Sequence, residues 1–110
     1  MYIYNVSIKV DLSIVEEWTL WMQETHIGEV MATGHFTDYK FCRLLDQDES
    51  EGITFVIQYY CDSIKDYLDY KNNHADRLQT ETRKLFQDKY IGYRSVMREI
   101  QRPITDEKLN

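Results

Sequence analysis

Residues 2–10 alternate between apolar and polar. Tyr2, Tyr4, Val6, Ile8 and Val10 share one face, and Ile3, Asn5, Ser7 and Lys9 share the other. That period of two predicts a half-buried strand whose first set faces helices. The alternation breaks at Asp11 to Ser13. Ser13 with Glu16 three residues later has the form of a capping box, so a helix is predicted to start there. At about 100° per residue, Ile14, Val15, Trp18, Trp21, Met22 and Thr25 fall on one stripe, with His26 at its margin. Gly28 weakens a helix by about 1 kcal/mol relative to Ala. A break is therefore predicted near Ile27 and Gly28, then a short turn over residues 29–33, with Gly34 as a left-handed cap.

Residues 35–46 read as a second strand with apolar groups on both faces. Tyr39, Phe41 and Leu45 lie on one face, and Phe36, Cys42 and Leu44 on the other. The polar run from Asp46 to Gly52 predicts a hairpin connection. Residues 53–61, β-branched and aromatic, predict a third strand without a clean solvent face. Ser63 with Asp66 opens a second helix. Its stripe holds Ile64, Tyr67, Leu68, Ala75, Leu78, Thr82, Leu85 and Phe86, with His74 at the margin and a bend expected over residues 71–74. Residues 89–98 close the domain as a fourth strand, and Pro103 ends further pairing.

The order β-α-β-β-α-β predicts an α+β, ferredoxin-like domain over residues 1–102, with a polar tail at 103–110. Four antiparallel strands carry two helices on one face. The middle strands are apolar on both faces, and the helices cover only one. A homodimer packed sheet to sheet, a dimeric α/β barrel, is the expected remedy.

Composition narrows the partners. The formal charge is −6, which argues against nucleic acid and anionic membrane. Nine tyrosines dominate an aromatic share of 14%, and tyrosine suits pocket walls and interfaces. Cys42 and Cys61 form no disulfide framework and no zinc motif. A hairpin centred near residue 49 sets Cys42 opposite Val56, so the thiols are not expected to pair. With no signal-peptide pattern and no bilayer-length apolar run, a cytoplasmic location with reduced thiols is expected. No GxGxxG, P-loop, GxSxG or HExxH occurs, so the sequence names no cofactor. The acidic run of residues 46–51 lacks the ligand spacing of a calcium loop.

Several motifs together resemble a family. They are Tyr4-Asn-Val, Glu17-Trp18 through Trp21-Met22, His26-Ile27 with Glu29-Val30, Ala32-Thr33-Gly34 with Phe36, Gln58-Tyr59, His74-Ala75 with Arg77-Leu78, and Phe86 with Asp88-Lys89. Over residues 1–100 the chain resembles the DUF4286 family of unknown function, found mainly in Bacteroidetes. Gly28 and Asp76 stand where that family is expected to carry proline. The layout is also similar to the dimeric α/β-barrel superfamily, which includes small monooxygenases, haem-degrading enzymes, isomerases and stress-response proteins. That likeness concerns fold, and fold does not fix function.

The candidate site follows from residue types. His26 and His74 are candidates for moving a proton, because imidazole titrates near neutrality. His26 is equally read as a helix-terminal cation. Trp18, Trp21 and Met22 are candidate walls of an apolar pocket, and equally core. Asn5, Ser7, Arg43, Gln58, Tyr60 and Arg94 are polar strand positions that line the space between sheets if they point there, or else fix a dimer. Tyr59 joins Asn5 and Arg43 as a ligand-contact candidate. His35, at a loop–strand junction, is expected to be exposed. The resemblance to haem-degrading barrels implies a histidine on the second helix, an asparagine on the first strand and a tryptophan. His74 and Asn5 match, but no tryptophan follows Trp21. The expected function is a homodimer that binds a small apolar molecule, with acid/base chemistry at a histidine. A non-enzymatic interaction module is the alternative.

Overall fold

The computed structural model describes residues 1–101. The tail assigned to residues 103–110 lies outside the described residues. Four strands, β1 (Tyr2–Asp11), β2 (Asp38–Arg43), β3 (Gly52–Cys61) and β4 (Tyr90–Arg98), pair antiparallel in the order β2-β3-β1-β4. Two helical rods pack on one face, so the α+β ferredoxin-like architecture is as predicted. Tyr4, Val6, Ile8 and Val10 are buried beneath the rods, as their alternation requires. Phe55, Ile57, Tyr59 and Cys61 of β3 lie beside them. Among the described residues no helix is long and apolar enough to cross a membrane.

The first rod opens differently from expectation. The Asp11 carboxylate, not Ser13, accepts from the Ser13 amide at 2.9 Å and its hydroxyl at 2.7 Å. A 3-10 turn over Leu12–Ile14 then leads into α1 (Val15–Trp21). No break occurs at Gly28. A π turn over Met22–His26 runs directly into α2 (Ile27–Ala32), with the Ile27 amide donating to the Met22 carbonyl five residues back. The buried positions are Trp18, Met22, Ile27 and Val30, so the spacing steps four, five, three. The additional residue turns Thr25 out into solvent, away from the predicted stripe. Gly34 ends the rod at φ +81°, the left-handed cap its lack of a Cβ permits.

The second rod repeats the device. The Ser63 hydroxyl accepts from the Asp66 amide and starts α3 (Ile64–Tyr70) as predicted. A π turn over Lys71–Ala75 replaces the expected bend and leads into α4 (Asp76–Phe86). Tyr70, Ala75, Leu78, Thr82 and Phe86 are buried, whereas Ile64, Leu68 and Leu85 are exposed. The predicted stripe missed Tyr70 because it assumed an unbroken 3.6 period.

Register settles the faces of the sheet. Phe41 lies opposite Ile57 and packs into the core, while Asp38, Lys40 and Cys42 point to the uncovered side. Phe36 precedes β2 and is buried under the rods, and Leu44 and Leu45 follow it exposed. The uncovered face is therefore less apolar than its sequence implied. Its centre is a chain of hydrogen bonds: Tyr60 hydroxyl to Gln58 (2.8 Å), Gln58 amide to Asn5 (3.2 Å), Asn5 amide to Ser7 (3.3 Å). The apolar surface gathers on the β4 edge, where Tyr93 is 76% and Ile91 64% exposed. Cys42 pairs in register with Val56, as the hairpin geometry required, and both cysteines are free.

Candidate functional site

The π turn of the first rod sets the site. In a regular helix, residues five apart point roughly 140° away from each other. The wider turn instead stacks His26 on Trp21, with ring centroids 4.7 Å apart and planes at 28°. Trp21 in turn meets Phe86 of α4 edge-on at 5.3 Å. His26 is thereby held between the rods and the sheet, on the wall of a cavity of about 30 Å³. That is space for about two water-sized groups. Tyr4, Val6, Ile8, Met22, Ile57, Tyr59, Leu78 and Arg94 form much of the remaining wall.

Burial holds His26 neutral, moving its pKa from 6.5 down to about 4. The Glu81 carboxylate opposes that shift and the Arg94 guanidinium adds to it. The His26 Nδ1 is buried and has no hydrogen-bond partner among the described residues. A polar atom in that position costs about 1–3 kcal/mol unless something fills the gap. Opposite His26, burial raises Tyr4, although the Arg94 guanidinium and the Gln79 side chain pull its hydroxyl the other way. Burial also raises Tyr59 and Tyr70, and neighbouring tyrosines reinforce it. Phenols in this cluster are hydrogen-bond donors rather than bases. Across the seam between the rods, burial raises Glu29, and its contact with Glu81 adds to the effect.

The remaining candidates are scattered. Met22 and Tyr59 line the cavity with His26. Trp18 is fully buried against Phe55 (5.0 Å) and Phe41 (5.9 Å), under the β2–β3 side of the sheet. Arg43 lies opposite Phe55, on the rod side, and pairs with Glu49 at 2.6 Å. It therefore does not face the space beyond the sheet. Neither does Arg94, which lies opposite Val6. Asn5 occupies the uncovered face, bound to Ser7 and Gln58.

His74 stands in a separate surface groove, with Arg77 at 3.3 Å from its Nδ1 and the His35 ring centroid 5.4 Å away. His35 is accordingly half-buried rather than exposed. The sheet separates Asn5 from His74, so the haem-type arrangement of those two residues is not assembled. Among the described residues no three or more His, Cys, Asp or Glu side chains group to hold a metal ion. The sequence left open whether Arg94 points beyond the sheet, and its pattern does not single out Tyr4, Tyr70 or Gln79 as lining a site. Counting back from Val6 along an antiparallel β1–β4 pair is the signal that finds Arg94.

Four antiparallel strands carrying two helical rods, with a small, largely apolar cavity between the layers, define a ferredoxin-like α+β protein. The DUF4286 profile, a domain of unknown function, matches residues 1–100, and the chain belongs to that family. Solved structures of similar shape include a dimeric ferredoxin-like protein from an uncultured marine organism, at TM-score 0.71 and 9% identity, covering 96% of this chain and 100% of that one. An ethyl tert-butyl ether d (EthD) family protein from Bacillus halodurans matches at TM-score 0.65 and 13% identity, covering 91% and 100%. A candidate antibiotic biosynthesis monooxygenase from Nitrosomonas europaea matches at 0.62 and 14%, covering 92% and 100%. At these identities the likeness is one of fold. No curated protein sequence matches the chain.

Proposed function

We propose that this domain is a homodimer in which each copy binds a small molecule in the cavity beneath the rods, with His26 accepting a proton from it. One observation carries the reading: a neutral imidazole on the cavity wall whose buried Nδ1 has no partner among the described residues. A neutral histidine in a largely apolar site can accept a proton or a hydrogen bond. Homodimerisation through the uncovered sheet face is supported by the apolar β4 edge and by a similar fold described as dimeric. The test is a broad small-molecule screen by thermal shift, read against His26→Ala and His74→Ala. Hits that stabilise the native chain and the His74 variant, but not the His26 variant, support the proposal. No hit, or hits indifferent to His26, would count against it.

A second reading, a non-enzymatic interaction module, draws support from the small enclosed volume and the exposed Ile91, Tyr93 and Met97. Light scattering separates the two uses of that surface. A homodimer that Tyr93→Asp splits assigns the ridge to self-association. A stable monomer leaves it open to another protein.

A further inference from the structure

Arg94 is placed unlike the other arginines around the core. It leaves β4 on the rod side and forms part of the cavity wall. Arg43 has the Glu49 carboxylate at 2.6 Å, and Arg77 has Glu29 in its field. Among the described residues, no carboxylate lies within ion-pair distance of Arg94. Its charge falls instead on phenols and an imidazole: Tyr4, Tyr70, Tyr90 and His26. Three of these are neutral donors and the fourth is a neutral base, so none supplies a counter-charge.

We propose that the cavity receives the carboxylate of a short organic acid, anchored by the Arg94 guanidinium and the Tyr4 hydroxyl, with the His26 imidazole facing the rest of the molecule. This rests on the cavity being the binding site, and names the class of ligand it takes. Guanidinium presents paired donors that match a carboxylate, and the low polarity of the walls strengthens the pair. Val6, Ile8, Met22, Ile57 and Leu78 supply those walls. The enclosed space of about 30 Å³ limits what can sit inside. It suits little more than the carboxylate head group, with the rest of the molecule leaving beside Arg94, which is solvent-exposed on the edge strand. Arg94 repels cations from its part of the wall, while the Glu81 carboxylate acts on His26 in the opposite sense.

The probes are acetate, lactate and pyruvate, each against its neutral counterpart: acetamide, lactamide and pyruvamide. They are titrated into the full chain while the His26 ring and Arg94 side-chain resonances are followed by NMR. Saturable shifts at both residues are expected for the acids, with the neutral counterparts about tenfold weaker or worse. Arg94→Gln is expected to abolish the acid response, and Arg94→Lys to weaken it, because an ammonium cannot make the bidentate contact. Tyr4→Phe, which keeps the core filled, is expected to weaken acids more than amides. Amides binding as tightly as acids, or acids binding unchanged to Arg94→Gln, would overturn the assignment. Neutral molecules moving the His26 signal while acids do not would leave the cavity reading standing and sink this one. No response to any probe at His26 would sink both.

Discussion

The π turns at Met22–His26 and Lys71–Ala75 sit midway along their rods, and each carries a histidine. Both shift the buried stripe by one residue, from Met22 to Ile27 and from Tyr70 to Ala75. Their chemistry nonetheless diverges. His26 is the last residue of its turn and rotates inward beneath Trp21. His74 is one residue short of the end and rotates toward the surface, to Arg77 and His35. One position along a widened turn thus separates a neutral base in a cavity from a half-exposed surface group. The rods end differently as well. The first exits through Gly34 in the left-handed region. The second exits through Gln87 at φ 48° and ψ −125°, a conformation costly for a residue with a Cβ.

The sharpest way to break the comparison is to truncate equivalent positions. Met22 and Lys71 each open a π turn, one buried and one exposed. Met22→Ala is expected to cost about 2–5 kcal/mol in urea unfolding, and Lys71→Ala less than about 0.5. Similar costs would mean that the two turns carry the same load.

The next effect is a pH dependence. With its folded pKa near 4 against 6.5 unfolded, His26 binds fewer protons folded than unfolded in that interval. Its contribution is therefore complete above about pH 6.5 and lost as pH falls through 4, a difference of about 3 kcal/mol. Glu29, raised by burial, acts in the opposite sense, so the comparison is between variants. His26→Gln is expected to flatten stability between pH 7 and pH 4 relative to the native chain, and His74→Gln to leave that component in place. Equal slopes in both variants would contradict the assignment.

The smallest effects concern the exits. Gly34→Ala is expected to lose about 1 kcal/mol and Gln87→Gly to gain about 1 kcal/mol, read from denaturation midpoints. A null result at Gln87 would mean that its φ is relieved in solution.

Much of this architecture was legible beforehand because alternation and capping are local. Tyr4 to Val10, Ser63 with Asp66, Gly34, and the Cys42–Val56 register all follow from neighbours in sequence. The π turns have no such local signature beyond the five-residue gap between Met22 and Ile27 that marks the first. Poor helix formers at Gly28 and at Lys71 to His74 suggested a break, whereas packing on both sides held the rods continuous and absorbed the mismatch as a wider turn. The site suffered more from this. Regular geometry puts His26 at a stripe's margin, and the widened turn carries it under Trp21 instead. Arg94 depended on long-range register between β1 and β4, which no local pattern encodes.

The most direct measurement is an NMR titration of the His26 ring from pH 8 to pH 3. A midpoint near 4 is expected, with the neutral form persisting through the physiological range. A midpoint at 6.5, the value of an imidazole in water, would place His26 outside the cavity and remove the proton acceptor from the account.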